Sequence, residues 1–213
     1  MAFITKDNIK TIGKQSEKSV IPADEDELTD IILQRINDEG PDCDLNDIDL
    51  RNIKDMTELF SAYNKRRLNG KPLGCGDFCG DISDWDVSGV ENMDSMFNAN
   101  KKFNGDISQW DVSNVRNMSH MFCESNFHGD IRDWNTESLV YMSGMFNSCP
   151  FNGNISKWNV ENVRMMNRAF YQSSFSGNLN NWKPINLRSA RAVFDNSPLH
   201  HNPPKWYIEF LNR

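Results

Sequence analysis

FNGDISQWDVSNVRNMSHMF, Phe103 to Phe122, recurs on both sides of itself. FCGDISDWDVSGVENMDSMF begins at Phe78, and FNGNISKWNVENVRMMNRAF begins at Phe151. Tryptophans at 85, 110, 134, 158 and 182 mark the period, with spacings of 25, 24, 24 and 24 residues. A fixed period of this length signals a repeat architecture, in which each unit buries its apolar face against the next because it cannot close a core alone. Upstream, LNDIDLRNIKDMTELF (Leu45 to Phe60) follows the same pattern with Ile48 in the tryptophan position. The 37 residues from Ile48 to Trp85 make one period plus a 13-residue insertion, which gives six rungs.

Within a rung, Ile107, Trp110 and Val112 have the L-x-x-L-x-L spacing of a leucine-rich-repeat strand. Val115, Met118, Met121 and Phe122 follow at i, i+3, i+6 and i+7, a spacing that predicts a short helix with one apolar face. The expected fold class is therefore α/β: a leucine-rich-repeat-like solenoid with short parallel strands on the concave side and short helices on the convex side. The tryptophans are expected to form a buried ladder at about 4.8 Å per step, the spacing of paired strands. Gly80, Gly105, Gly129, Gly153 and Gly177 occupy one phase, each followed by Asp or Asn. Such a glycine suggests a corner with positive φ.

The ends of a stack need covering. Asp24 to Gly40, DEDELTDIILQRINDEG, reads as an amphipathic helix with acids in its first turn and a terminating glycine. PPKWYIEFLNR, from Pro203, supplies a second short helix, and Pro184 stands where other rungs have Val, as an edge segment tolerates. The expected organisation is a tail over 1–22, a helical cap over 23–44, the repeats over 45–199 with an insertion loop at 63–76, and a C-terminal cap over 200–213.

Composition sets limits on function. The formal net charge is −7, unevenly spread: residues 24–60 hold 13 acidic against 3 basic side chains, and residues 138–213 hold 3 against 8. The overall charge disfavours direct nucleic-acid binding, which needs a basic stripe to neutralise phosphates. The first 18 residues carry charge throughout and hold no apolar run of even seven, so neither a secretory signal nor a membrane span is read there. Five cysteines at irregular spacing fit reduced thiols and a cytoplasmic location. Cys75 and Cys79 form C-x3-C with no second pair, which reads as two buried or half-buried thiols rather than a zinc site. His120, His128, His200 and His201 fall in unrelated phases and no catalytic spacing recurs, so no enzyme, cofactor or metal is expected.

The repeat F-N-x-D-I-S-x-W-D-V-S-N-V-x-N-M-S-x-M-F resembles that of BspA-family leucine-rich-repeat proteins, known from bacterial surface proteins and mycoplasma lipoproteins, and the resemblance covers residues 45–199. It implies a right-handed solenoid used for protein–protein recognition or adhesion, with no catalytic residues. This chain departs from the surface members in showing no signal peptide, lipobox cysteine or anchoring segment.

Residues flanking the tryptophan are expected to face solvent on the concave side, because side chains alternate along a strand. They are Asp47/Asp49, Asp84/Asp86, Gln109/Asp111 and Asp133/Asn135/Glu137 in the first four rungs, an acidic series. Beside them the insertion carries Lys65, Arg66 and Arg67. The reading is a monomeric, non-catalytic module that docks another protein with a basic surface through this acidic face and the 63–76 loop, the charge gradient steering encounter. One alternative is an intracellular inhibitor of phage or mobile-element type that blocks a host enzyme, by nucleic-acid mimicry. Another is an adhesin-like repeat protein without its export signal.

Overall fold

The computed structural model describes residues 20–64, 67–68, 71–72 and 75–213. Six rungs are joined by isolated parallel bridges, Asp55 to Asn92 to Asn117 to Tyr141 to Met165 to Ser189. These residues lie in the segment whose spacing predicts a helix. No helix forms there, and the Ile107–Trp110–Val112 segment forms tight turns instead of a strand. The inter-rung backbone hydrogen bonds sit on the opposite half of the rung from the one expected.

The physical reason is a turn written three times in each of the first three rungs and once or twice in the later ones. In Asp106-Ile-Ser108, Asp111-Val-Ser113 and Asn117-Met-Ser119 the side-chain oxygen of the first residue accepts the N–H two residues on, at 2.9, 3.0 and 3.0 Å. This Asx turn offers the backbone a local partner in competition with helix or sheet. Each is followed by a second closure from i+3, as in Trp110 N–H to Ile107 O (3.3 Å) and Val115 N–H to Val112 O (3.0 Å). A helix cannot propagate through three such turns in succession, and the apolar residues at i+1 and i+4 of each turn end up inside.

In the third turn the backbone alternates hand. Ser95, His120, Gly144, Arg168 and Ala192 share one phase with φ between +52° and +63°, and Ala99, Glu124, Ser148, Gln172 and Asn196 share another with φ between +53° and +58°. Alternation aims every second N–H along the stack. Met93, Ser95, Phe97 and Ala99 donate to Asn117, Ser119, Met121 and Cys123 carbonyls at 2.7–2.9 Å. Met118, His120, Phe122 and Glu124 repeat the set one rung later, onto Tyr141, Ser143, Met145 and Asn147. These donors point toward the C-terminal end, whereas just before them the Arg116, Val140, Arg164 and Arg188 N–H groups reach back to the Glu91, Arg116, Val140 and Arg164 carbonyls at 2.8–2.9 Å.

The core is three aromatic columns. Trp85, Trp110, Trp134, Trp158 and Trp182 are at most 4% exposed, and Trp206 extends their phase by a further 24 residues. Each indole N–H donates to a carbonyl of the preceding rung, for example Trp110 to Ile82 and Trp134 to Ile107 at 3.1 and 3.0 Å, so the one polar atom of each ring is satisfied in the interior. Ring centroids lie 6.1–6.4 Å apart where the tryptophans stack, wider than the expected step because the rings are offset. Phe60, Phe97, Phe122, Phe146, Phe170 and Phe194 form a second column at 5.5–5.8 Å. Phe78, Phe103, Phe127, Phe151 and Phe175 form a third at 6.1–6.5 Å.

This third column explains the glycines. None of Gly80, Gly105, Gly129, Gly153 and Gly177 has positive φ, so the expected left-handed corner is absent. A Cβ on Gly129 would lie 2.9 Å from the Phe127 ring, on Gly153 2.8 Å from that of Phe151, and on Gly80 1.9 Å from the Cys43 carbonyl. The recurring F-x-G is a space requirement: the ring folds over the residue two positions on.

Helices cover both ends. α1 (Glu25–Glu39) is capped by Asp24, whose carboxylate accepts the Glu27 N–H, and ends at Gly40 with φ +102°. It buries Leu28, Ile32, Leu33 and Ile36, and Arg35 ties it to the first rung through Asp47 at 2.7 Å. α2 (Lys205–Leu211) buries Trp206 and Tyr207, and the Tyr207 hydroxyl accepts the Val193 N–H. In the insertion, β1 (Arg67–Leu68) and β2 (Lys71–Pro72) pair antiparallel.

Candidate interaction surface

The acidic residues singled out in the sequence divide by what they already do. Asp47 takes the Arg35 guanidinium of α1, and the same contact raises the arginine pKa, the hydrogen bond that Arg35 donates to Asp47 being the main cause. Asp49 accepts the Arg51 N–H and pairs with its guanidinium at 2.5 Å. Asp86, Asp111 and Asn135 are the first residues of Asx turns, accepting the N–H groups of Ser88, Ser113 and Glu137 at 3.0, 3.0 and 3.1 Å. Hydrogen bonds from Ser113 hold the Asp111 carboxyl below the usual carboxylate range. These acids are half-buried or exposed, but the turns employ their oxygens. Their recurrence therefore has a structural cause that the strand reading hid.

Asp84, Gln109 and Asp133 form the neighbouring exposed column, one residue before each tryptophan. The Asp84 N–H donates to the Asn46 side chain at 2.8 Å, and the Gln109 amide to Ser108 Oγ at 3.2 Å. Glu137 lines a polar cleft of about 340 Å³ with Arg116, Ser138, Asn162, Arg164 and Asn186. Asn162 and Asn186 donate to the carbonyls of Glu137 and Glu161 at 2.8 and 2.9 Å, which fixes the cleft floor across rungs. Lys65 and Arg66 lie outside the described residues, and of Arg67 the structure gives the β1 backbone pairing.

The ladder half of the rung presents a second surface, which the helix reading concealed. Its first outward column runs Asp55, Asn92, Asn117, Tyr141, Met165, Ser189. Beside it, one residue earlier, runs Lys54, Glu91, Arg116, Val140, Arg164, Arg188. The sign of charge changes along the stack: Asp55, Glu58, Glu91 and Asp94 at one end give way to Arg164, Arg168, Arg188 and Arg191 at the other. Tyr141 and Met165, 39% and 38% exposed, sit side by side between them. Gly144 stays bare because the His120 ring lies over it, 2.4 Å from where a Cβ would stand. His120 in turn faces Asp94 at 3.8 Å, and hydrogen bonding from His120 is the main cause that lowers the Asp94 pKa.

Cys43, Cys123 and Cys149 are buried free thiols, and burial pushes Cys123 up to about 11. Cys79 is exposed, contrary to the sequence reading. Among the described residues no group of three or more His, Cys, Asp or Glu side chains is placed to hold a metal ion. No described helix is long and apolar enough to cross a membrane.

No curated protein and no solved structure matches the chain. A family profile does, over residues 40–149 and 123–206, and its description is "Mycoplasma protein of unknown function, DUF285". The match spans the repeats from the first rung to Trp206, and the chain belongs to this family.

Proposed function

We propose that the chain is a non-catalytic protein-recognition module built on a solenoid of the BspA leucine-rich-repeat type, acting in the cytoplasm. One observation carries the reading: the interior columns repeat while the exterior columns vary. Six tryptophans and eleven column phenylalanines are nearly invariant in phase, whereas the exposed position before the tryptophan runs Asp47, Asp84, Gln109, Asp133, Lys157, Asn181. A uniform scaffold holding varied side chains at fixed spacing is what repeat proteins use to bind extended surfaces. The partner suited to the first four rungs is a protein with a basic surface, meeting Asp84, Gln109 and Asp133 and the 63–76 loop.

A test is cross-linking of the chain to the partner captured from its native source. Cross-links clustered on the exposed columns around Gln109 and Asp133 support the reading, and cross-links confined to α1 and α2 overturn it.

A further inference from the structure

We propose that the C-terminal half of the ladder face is a second docking surface, which takes an acidic polypeptide segment carrying an apolar anchor. The proposal is independent of the acidic column beside the tryptophans. It rests on three features that coincide on three adjacent rungs.

The first is uncommitted positive charge. Arg164, Arg168, Arg188 and Arg191 are all exposed. Among the described residues none of them has an ion-pair partner. Of the acidic side chains of these rungs, Asp195 faces His200 at 3.6 Å, and Glu137 lines the same cleft as Arg164 without forming an ion pair with it. Arg168 lies 5.5 Å from the Tyr171 ring centroid, which holds its guanidinium against an aromatic face. The fork of an arginine matches a carboxylate with two parallel hydrogen bonds, so the set is suited to acidic side chains.

The second is an apolar step in the middle of this charge. Tyr141 and Met165 are bridged neighbours on successive rungs and two of the seven exposed large apolar side chains among the described residues. Tyr, Met and Arg are the residue types enriched at the centres of protein interfaces. The third is a flat, fixed floor. The backbone beneath is hydrogen bonded from rung to rung, with Met142 to Met165 O at 3.0 Å, Gly144 to Asn167 O at 2.8 Å and Arg168 to Arg191 O at 2.8 Å. Little conformational freedom remains there to be lost on binding.

A polypeptide fits better than a nucleic acid. Three rungs extend only about 10–15 Å at the spacing of paired strands, and one rung further, past Arg116, the same face turns acidic at Glu91 and Asp94. A long polyanion would run from attraction into repulsion, whereas a short acidic segment ends where the sign changes.

The test uses the full chain. A random dodecamer peptide library is selected against it, and affinities of the enriched peptides are measured for the unaltered protein, for Arg164→Glu with Arg168→Glu, for Tyr141→Ala with Met165→Ala, and for Asp133→Lys. Enriched peptides should carry an excess of Asp and Glu around an aromatic or aliphatic residue. Their affinity should fall at least tenfold in the arginine and Tyr141/Met165 variants, stay within twofold in Asp133→Lys, and weaken with salt. Circular dichroism confirms that each variant keeps its fold, and a variant that unfolds is replaced by Arg188→Glu with Arg191→Glu, for which the same loss is expected. Selection of no peptide, enrichment without acidic excess, affinity that survives arginine reversal, or displacement of the peptides by micromolar single-stranded oligonucleotide overturns the proposal.

Discussion

A single residue in this chain is shaped by its phase. Ala99 shows the effect most simply: its φ of +58° is imposed by the ladder, since its N–H must reach the Cys123 carbonyl at 2.7 Å. An L-residue in that conformation costs about 1 kcal/mol that glycine does not. Ala99→Gly should therefore raise the unfolding free energy by about 0.5–1 kcal/mol despite the added freedom of the unfolded chain. Urea denaturation measures it, and a loss of stability would mean that the left-handed backbone is not what holds the rung. At the glycines the opposite holds, because a Cβ at Gly129 meets a phenylalanine ring, a clash that no change of φ relieves.

At the scale of the element, the Asx turn replaces strand and helix. Its first residue is Asp at 81, 106, 111 and 130 and Asn at 135, 154 and 178, all accepting the N–H two positions on. The turn thus needs an oxygen acceptor, and charge is optional. Hydrogen bonds to the ionised form lower the pKa of Asp81, Asp106 and Asp111 from 3.8. A carboxyl depressed by folding adds stability that is complete above the unfolded value and disappears as pH falls through the folded one. Replacing Asp81, Asp106 and Asp111 together by Asn should flatten the loss of stability below about pH 4 and leave stability at pH 7 nearly unchanged. An acid limb as steep as that of the unaltered protein would contradict it. The period, the buried tryptophans and both end helices were legible in the sequence, because each rests on residue type and spacing. The half of the rung that carries the ladder was not, since Val115, Met118 and Phe122 suit a helix face and a chain of i+3 turns equally well. The signal that separates them is D-I-S, D-V-S and N-M-S at intervals of five and six residues. That misplacement also hid Tyr141 and Met165 and made turn-forming aspartates look like a binding face.

Over the whole molecule, order comes from stacking and asymmetry comes from charge. Along the ladder the alternating N–H groups of the third turn reach the next rung, while the indole N–H groups reach the preceding one, and the acidic N-terminal third opposes a basic C-terminal third. Exposed charges separated by more than about 8 Å are screened at physiological ionic strength, so each end presents its own field to whatever approaches it. The account predicts a rigid scaffold with two chemically opposite docking regions, in which outward side chains are free to change without cost to the core. Its most direct test is calorimetric titration of the captured native partner into the unaltered chain and into a Gln109→Lys, Asp133→Lys double variant. The predicted result is an affinity at least tenfold weaker and a shallower salt dependence, with an unchanged melting temperature. An affinity equal to that of the unaltered chain, with the fold intact, would contradict recognition through the varied columns.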